Sequence, residues 1–291
     1  MDTKEILKKV RRVELKTRGV VNDLFSGEYH SVFKGRGMTF SEVREYSVGD
    51  DVRNIDWNVS ARFAHPFVKV FEEERELTVM LLVDMSGSQQ FGTRKQTKQE
   101  LAAELSAIFA FSALKNNDKT GLILFTDKVE KFIPPKKSRS HPLRIIREVI
   151  NAVPEGKGTN IKAALEYLNS MITKRAIVFL ISDFQDRGYD TIFKTVAKKH
   201  DLVSVVLEDD REIALPKIGL VDFVDPETGE RTTINTSSME FRKYFFEKWH
   251  ADREYRENLM KACKVDRIEI KTGQSYVKPL TAFFKLREKR W

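Results

Sequence analysis

Two short, wholly apolar segments that end in an aspartate constrain the fold of this chain more than any other feature of its sequence. Residues 77–83 lead directly into Asp84, and residues 176–181 lead into Ser182 and Asp183. A continuous apolar run of this length is typical of a strand that is buried on both faces. Segments with helical periodicity alternate with these and other strands. The pattern predicts an α/β fold with a doubly wound, mainly parallel sheet.

The same reading gives the order of the other elements and the expected domain organisation. Residues 1–75 are expected to form an N-terminal helical and loop extension, and residues 76–291 the α/β domain, elaborated by a hairpin and a helix at about 221–262. The threonine and glutamate of Thr39-Phe40-Ser41-Glu42 resemble a capping box, which predicts a short helix there. Further strands are predicted at 120–125, 129–133, 202–207 and 267–270, a hairpin at 221–236 with its turn at 225–229, and helices at 3–25, 96–115, 143–153, 161–172, 192–199, 238–262 and 277–289.

Composition narrows the classes of protein to which the chain can belong. The net charge is +8, but 51 basic and 43 acidic residues interleave along the chain, and no nucleic-acid-binding motif accompanies them. Specific nucleic-acid binding is therefore not expected. A single cysteine favours a reducing compartment. The charged N-terminus lacks the apolar core of a signal peptide, and no apolar run reaches the ~20 residues of a membrane span. The expected location is the cytoplasm.

Oxygen-bearing side chains follow the predicted strands where the strands end. Asp84, Ser86 and Ser88 alternate along one loop, Asp183 follows the second apolar strand, and Thr159 lies in the loop before a helix. In parallel sheets, ligands bind where the carboxyl ends of the strands meet the following loops. Hard divalent cations take oxygen ligands. The five residues therefore predict a site for a divalent cation, Mg²⁺ first, with Mn²⁺ or Ca²⁺ as alternatives.

This set of residues resembles the metal-ion-dependent adhesion site (MIDAS) of von Willebrand factor A domains, with all five positions matched. The preceding region is similar to the signature of the bacterial family called domain of unknown function 58, and the likeness extends from about residue 15 to residue 290. The residues that carry it are Gly35, Arg36, Gly37, Phe40, Arg44, Glu45, Tyr46, Gly49, Asp50, Asp51, Arg53, Ile55, Asp56, Trp57, Ser60, Ala61 and Arg62.

The resemblance implies a von Willebrand factor A-like, Rossmann-like fold and a binding function without catalysis. In such sites the serines and the threonine contact the metal directly or nearly so, and the aspartates often act through water. One coordination position is open to a carboxylate of a protein partner. Family members are typically encoded beside AAA+ ATPases of the MoxR type, so the implied partner is such an ATPase or its client. Many longer relatives carry membrane spans, and this chain has none in its sequence.

Several alternatives remain open on sequence alone. A haloacid-dehalogenase-like phosphotransferase would need a second aspartate where Ser86 stands. The segment Gly156-Lys157-Gly158-Thr159 lacks the full spacing of a phosphate-binding loop. A structural domain with an unoccupied site is a third alternative. The charged residues between Arg44 and Arg62 are either a surface for the ATPase or a structural set of ion pairs. The acidic segment Glu208-Asp209-Asp210 is expected to be a solvated loop, with a position beside the metal site as the alternative.

Overall fold

The computed structural model describes residues 10–17, 19–21, 39–72, 77–92, 96–213, 216–224 and 229–289. The strands are β1 (Thr39–Glu45), β2 (Phe67–Glu72), β3 (Thr78–Asp84), β4 (Lys119–Phe125), β5 (Val129–Lys136), β6 (Ile177–Ser182), β7 (Asp201–Glu208), β8 (Leu220–Val224), β9 (Arg231–Asn235) and β10 (Asp266–Lys271). The helices are α1 (Trp57–Phe63), α2 (Lys98–Lys115), α3 (His141–Asn151), α4 (Ile161–Met171), α5 (Asp190–Lys199), α6 (Asp210–Ile213), α7 (Met239–Ala262) and α8 (Val277–Glu288).

The larger of two compact units, Met1–Val32 with Thr78–Trp291, is built on a six-stranded sheet. The strand order is β10-β7-β6-β3-β4-β5, and all neighbours are parallel except β4 and β5. The chain moves outward from β3 through β4 to β5 and then continues at β6, on the other side of β3. The order of the strands thus reverses between β3 and β6, which is where open α/β sheets bind their ligands. The predicted α/β fold with a doubly wound, mainly parallel sheet is confirmed.

Helices cover both faces of this sheet, which is why its central strands are apolar along their whole length. Alternate residues of β3 and β6 join one buried cluster with α4, α5 and the last turns of α7. On the other face α2 packs against the sheet and is almost entirely buried, with Phe109 stacked on Phe179 at a centroid distance of 3.8 Å. Helical residues 10–17 and 19–21 lie beside α2, because Lys16 forms an ion pair with Glu104 at 2.6 Å.

The smaller unit, Phe33–Leu77, corrects one prediction. Residues 39–42 do not begin a helix; they open β1, which pairs antiparallel with β2 and carries a bulge between Phe40 and Glu42. The Thr-x-x-Glu pattern is local, whereas the pairing with β2 is tertiary and overrides it. Within this unit Arg44 forms two hydrogen bonds with Asp50, at 2.6 and 2.8 Å, and Asp56 caps α1.

Most other predicted elements are confirmed with small shifts of their ends. The hairpin predicted at 221–236 is β8 paired with β9, and the strand predicted at 267–270 is β10, which adds to the edge of the sheet beside β7. Parts of three predictions lie outside the described residues: the ends of helix 3–25, the hairpin turn at 225–228 and the signature glycines at 35–37. The boundary predicted between residues 75 and 76 stays a prediction.

Candidate metal centre

The loop after β3 turns sharply and brings its oxygen-bearing side chains together. The backbone N–H of Ser86 donates to Asp84 Oδ1 at 2.9 Å, which folds the loop back on the end of the strand. Residues Gly87–Gln90 then form a 3₁₀ turn. The two hydroxyls, Ser86 Oγ and Ser88 Oγ, lie 3.1 Å apart. All three side chains are buried, so the alternation seen in the sequence becomes a compact group of oxygen donors.

The end of β6 joins this group through side-chain hydrogen bonds. Ser182 Oγ donates to Asp84 Oδ2 at 2.6 Å, and Ser88 Oγ donates to Asp183 Oδ2 at 2.9 Å. These contacts follow from the register of β3 and β6, in which Val83 lies opposite Ile181. The ends of the two neighbouring strands are therefore connected in both directions. Asp84, Ser86, Ser88 and Asp183 form one hydrogen-bonded cluster. That these residues and Thr159 hold a metal ion stays a prediction.

The loop that carries Thr159 is attached to this cluster through its backbone. Lys157 O accepts from Gly87 N at 2.8 Å, and Asn160 N donates to Thr126 O at 2.8 Å. Thr159 itself is half-buried between these two attachments. Gly156 lies close to the end of β4, since a Cβ atom at this position would lie 1.7 Å from Asp127 Oδ1 and 2.3 Å from Thr126 Oγ1, so a larger residue would displace these side chains. The loop thus runs along the edge of the sheet beside Ser86–Ser88.

The two aspartates of the cluster differ in their electrostatic environment. Burial and the nearby charge of Asp183 raise the pKa of Asp84 to about 7. Burial also opposes ionisation of Asp183, but the ammonium of Lys98, with Nζ 2.8 Å from Asp183 Oδ2, outweighs it and lowers the pKa of that carboxyl. Asp84 is held by hydrogen bonds alone and forms no ion pair with any described residue. Negative charge at Asp84 is therefore left without a cation.

Lys98 is a component of the site that the sequence did not reveal. It occupies the first turn of α2, where a lysine is normally solvated, yet it is completely buried. Its ammonium forms ion pairs with both Asp183 and Glu212. These carboxylates oppose the effect of burial and raise the pKa of Lys98. Both partners are distant in sequence, so no local pattern could have identified them.

The chain resembles known protein sequences over most of its length. A family model described as "Protein of unknown function DUF58" matches residues 42–255. The chain belongs to the DUF58 family. This DUF58 chain is 28% identical over 232 residues to the uncharacterized protein Rv1480 of Mycobacterium tuberculosis, a match that spans 79% of this chain and 73% of the relative.

Solved structures with a similar fold share little sequence with it. The crystal structure of the conserved hypothetical protein BatB from Bacteroides thetaiotaomicron superposes with a TM-score of 0.48 at 17% identity, over 73% of this chain and 99% of that one. The VWA domain of SpRpn10 gives a TM-score of 0.39 at 11% identity, over 71% of this chain and 94% of that one.

The acidic segment after β7 of this DUF58 chain differs from the solvated loop that was expected. Glu208 and Asp209 are buried. Glu208 forms an ion pair with Arg256 of α7, and Asp209 accepts a hydrogen bond from Thr272 Oγ1. Arg256 also donates to the backbone oxygen of Asp183 at 3.3 Å, so the segment borders the predicted metal site. Arg256 and Thr272 are both distant in sequence, which is why the three acidic residues alone suggested exposure.

The donor set fits a hard divalent cation. Its side chains offer only oxygen atoms, namely two hydroxyls and two carboxylates, and one of these carboxylates has no cationic partner among the described residues. Within the described ranges no cluster of three or more His, Cys, Asp or Glu side chains is arranged to hold a metal ion. A site at this edge therefore depends on the serine hydroxyls, which distinguishes it from sites built on carboxylate, imidazole or thiolate clusters.

Two further findings bear on the setting of the site. A cavity of ≈ 1170 Å³ opens beside the cluster and is lined by Ser88 and Asp183 at the sheet and by residues of β8, β9 and α7. In the part of the chain that the structure describes, none of the helices is both long and apolar enough to cross a membrane.

Proposed function

We propose that this DUF58 protein is a metal-dependent protein-binding module that holds a carboxylate of its partner at the carboxyl edge of the sheet. The observation that carries this proposal is the cluster at the ends of β3 and β6. There two hydroxyls and two carboxylates are hydrogen-bonded together, and of these two carboxylates only Asp183 has a cationic partner among the residues that the structure describes. A buried carboxylate without a counter-ion is costly, and a bound cation removes that cost.

Each residue of the cluster has a distinct task under this proposal. Ser86, Ser88 and Thr159 would hold the cation directly, while Asp84 and Asp183 would act through water or as anionic neighbours. When bound, the cation would supply an open coordination position that accepts an incoming carboxylate. Lys98 keeps Asp183 ionised and fixed in place. Because neutral hydroxyls supply much of the coordination, the cation would keep enough positive charge to attract an anionic ligand.

The proposed partner is an AAA+ ATPase of the MoxR type or a client of such an ATPase. The chain belongs to the DUF58 family, and this part of the proposal rests on the neighbouring ATPase genes that the resemblance to that family implies. The chain would then act in assembling or remodelling other proteins in the cytoplasm, with ATP hydrolysis done by the partner.

A binding role without catalysis is supported by the residues around Asp84. A phosphotransferase of this general architecture needs a carboxylic acid two positions after the first aspartate, and here that residue is Ser86. The glycine at position 156 has a packing reason, its close approach to Asp127, and need not belong to a phosphate-binding loop. Hydrolysis of p-nitrophenyl phosphate that requires Mg²⁺ and is lost in Asp84→Asn would instead favour an enzyme.

The proposal is tested by affinity capture with the purified chain from lysate of its own host. The capture is run with Mg²⁺, with EDTA, and with an Asp84→Ala variant. Glu166→Ala is a matched control, because it removes an exposed carboxylate of α4 that does not line the cavity beside the cluster. We expect an AAA+ ATPase or its client to be retained only with Mg²⁺ and an intact Asp84. Retention of the same proteins under all conditions would reject a metal-dependent mechanism.

A further inference from the structure

The cavity beside the metal centre has walls that belong to the elaboration at the end of the chain. One face of α7 lines it with Phe245, Lys248, Trp249, Asp252 and Arg256, which follow the helical spacing of three or four residues. The hairpin of β8 and β9 and the loop around residues 152–157 form the other walls. At ≈ 1170 Å³ the cavity exceeds the roughly 300–1,000 Å³ that is usual for small-molecule sites. Its size suits a segment of polypeptide.

The walls of this groove present apolar side chains to solvent. Val153 is 91% exposed and Val224 is 50% exposed, and Phe91 is 37% exposed although it lies close to the metal loop. Aromatic residues of α7, Phe245 and Trp249, line the same space. Exposed apolar groups gathered in one concave surface mark a binding site, whereas isolated ones are ordinary.

The charges of the groove are unequally compensated. Five of the carboxylates that line it form ion pairs: Glu208 with Arg256, Asp183 and Glu212 with Lys98, Glu155 with Lys128, and Asp252 with Arg187. Three lining cations, Lys157, Arg211 and Lys248, have no ion-pair partner among the residues that the structure describes. The uncompensated charge on the walls is therefore mainly positive, and it is carried by three different elements.

We propose that this groove binds an extended segment of a partner protein in which acidic side chains alternate with aromatic or aliphatic ones. The apolar walls take the apolar side chains, and Lys157, Arg211 and Lys248 attract the acidic ones. The inference rests on the proposed function in one respect: one carboxylate of the segment is the ligand of the metal centre at the floor. A nucleic acid fits less well, because the cations are separated by apolar and paired groups and do not form a continuous basic stripe.

The test is a selection from random 12-residue peptides displayed on phage, with the full chain in Mg²⁺ as bait. The selected peptides are then synthesised, and their dissociation constants are measured by fluorescence anisotropy. We expect selected sequences to carry Asp or Glu next to Phe, Trp, Leu or Ile. Lys248→Glu and Arg211→Glu should each weaken binding by about tenfold, and added salt should reduce that difference. Lys243→Glu is the matched control, since it reverses another exposed lysine of α7 that does not line the groove.

The outcomes separate this inference from the proposed function. If no peptide is enriched, if the enriched peptides lack acidic residues, or if both groove variants bind like the wild type, the groove assignment is wrong. Displacement of the selected peptides by single-stranded DNA would also overturn it. If binding is lost in the groove variants but survives EDTA and Asp84→Ala, the groove stands and the metal-dependent function fails. If binding is lost in EDTA but unaffected in both groove variants, the metal-dependent function stands and the groove assignment fails.

Discussion

Each end of the central sheet holds a cation between two carboxylates. The two ends differ in how exposed these carboxylates are and in whether a further carboxylate lies beside them. At the amino end Arg287 pairs with Asp201 at 2.5 Å and with Asp266 at 2.6 Å. At the carboxyl end Lys98 pairs with Asp183 and Glu212. Asp201 and Asp266 keep 25% and 16% of their side-chain surface exposed, and Glu212 keeps a similar 20%, whereas Asp183 keeps only 2%.

At the carboxyl end a second buried carboxylate, Asp84, lies beside Asp183. Among the described residues it is held by hydrogen bonds and not by an ion pair. The cavities beside the two clusters differ in volume. The cavity at the amino end measures ≈ 250 Å³ and the one at the carboxyl end ≈ 1170 Å³. The solvent-reached ion pairs at the amino end stabilise the structure. At the carboxyl end a further buried carboxylate lies beside an open groove, and under the proposed function this end receives a cation.

The largest effect is expected from removing the buried cation. Lys98→Met should lower the free energy of unfolding by about 3–5 kcal/mol, because it leaves the buried Asp183 and the half-buried Glu212 without their counter-ion. Arg287→Met is the comparison at the amino end and should cost about 1–3 kcal/mol, since water reaches its two carboxylates. Urea unfolding in EDTA measures both. Equal losses in the two variants would contradict the distinction between the two ends.

Acid should destabilise the amino end through His200. Burial, with lesser contributions from Lys199 and Arg175, lowers the pKa of His200 from 6.5 to about 4. The unfolded chain therefore takes up this proton first as the pH falls. Neutral His200 therefore contributes roughly 2–3 kcal/mol to the free energy of unfolding. This contribution is fully present above about pH 6.5 and is lost as the pH falls towards 4. The measurement is the unfolding free energy across this range in wild type and His200→Gln. The variant should show the shallower dependence, and identical curves would exclude His200 as the cause.

The sequence was sufficient for the sheet and for most of the cluster. Asp84, Ser86, Ser88 and Asp183 were found because apolar strands identify themselves locally and parallel strands bring their ends to one edge. What could not be predicted depends on contacts between distant residues. Lys98 can be buried because it pairs with the distant Glu212. The sequence suggested that Glu208 is exposed, but Glu208 is buried in an ion pair with the distant Arg256.

The elaboration at 221–262 gives the same lesson at a larger scale. Its hairpin and helix were predicted as elements, but their place beside the metal loop is a matter of tertiary packing. The strand at 39–45 was missed for a related reason, because its partner, β2, begins more than twenty residues later.

A smaller effect distinguishes two buried serines of neighbouring strands. Ser182 donates to Asp84 Oδ2 at 2.6 Å, so Ser182→Ala should lower the unfolding free energy by about 1–2 kcal/mol. The buried hydroxyl of Ser204, in the middle of β7, has no hydrogen-bond partner among the described residues, so Ser204→Ala should be neutral or slightly stabilising. Thermal unfolding of the two variants in EDTA compares them directly. A larger loss for Ser204→Ala would contradict the role given to Ser182.

The most direct test of the central claim is to locate a bound cation. Crystals of the full chain grown with Mn²⁺ would be measured at a wavelength where manganese scatters anomalously. We predict an anomalous peak among the oxygen atoms of Asp84, Ser86 and Ser88, and its loss in Asp84→Ala. No peak should lie beside Arg287, Asp201 and Asp266. A map without a peak at the carboxyl end of the sheet, or with a peak only at the amino end, would show that the carboxyl end does not bind the metal ion.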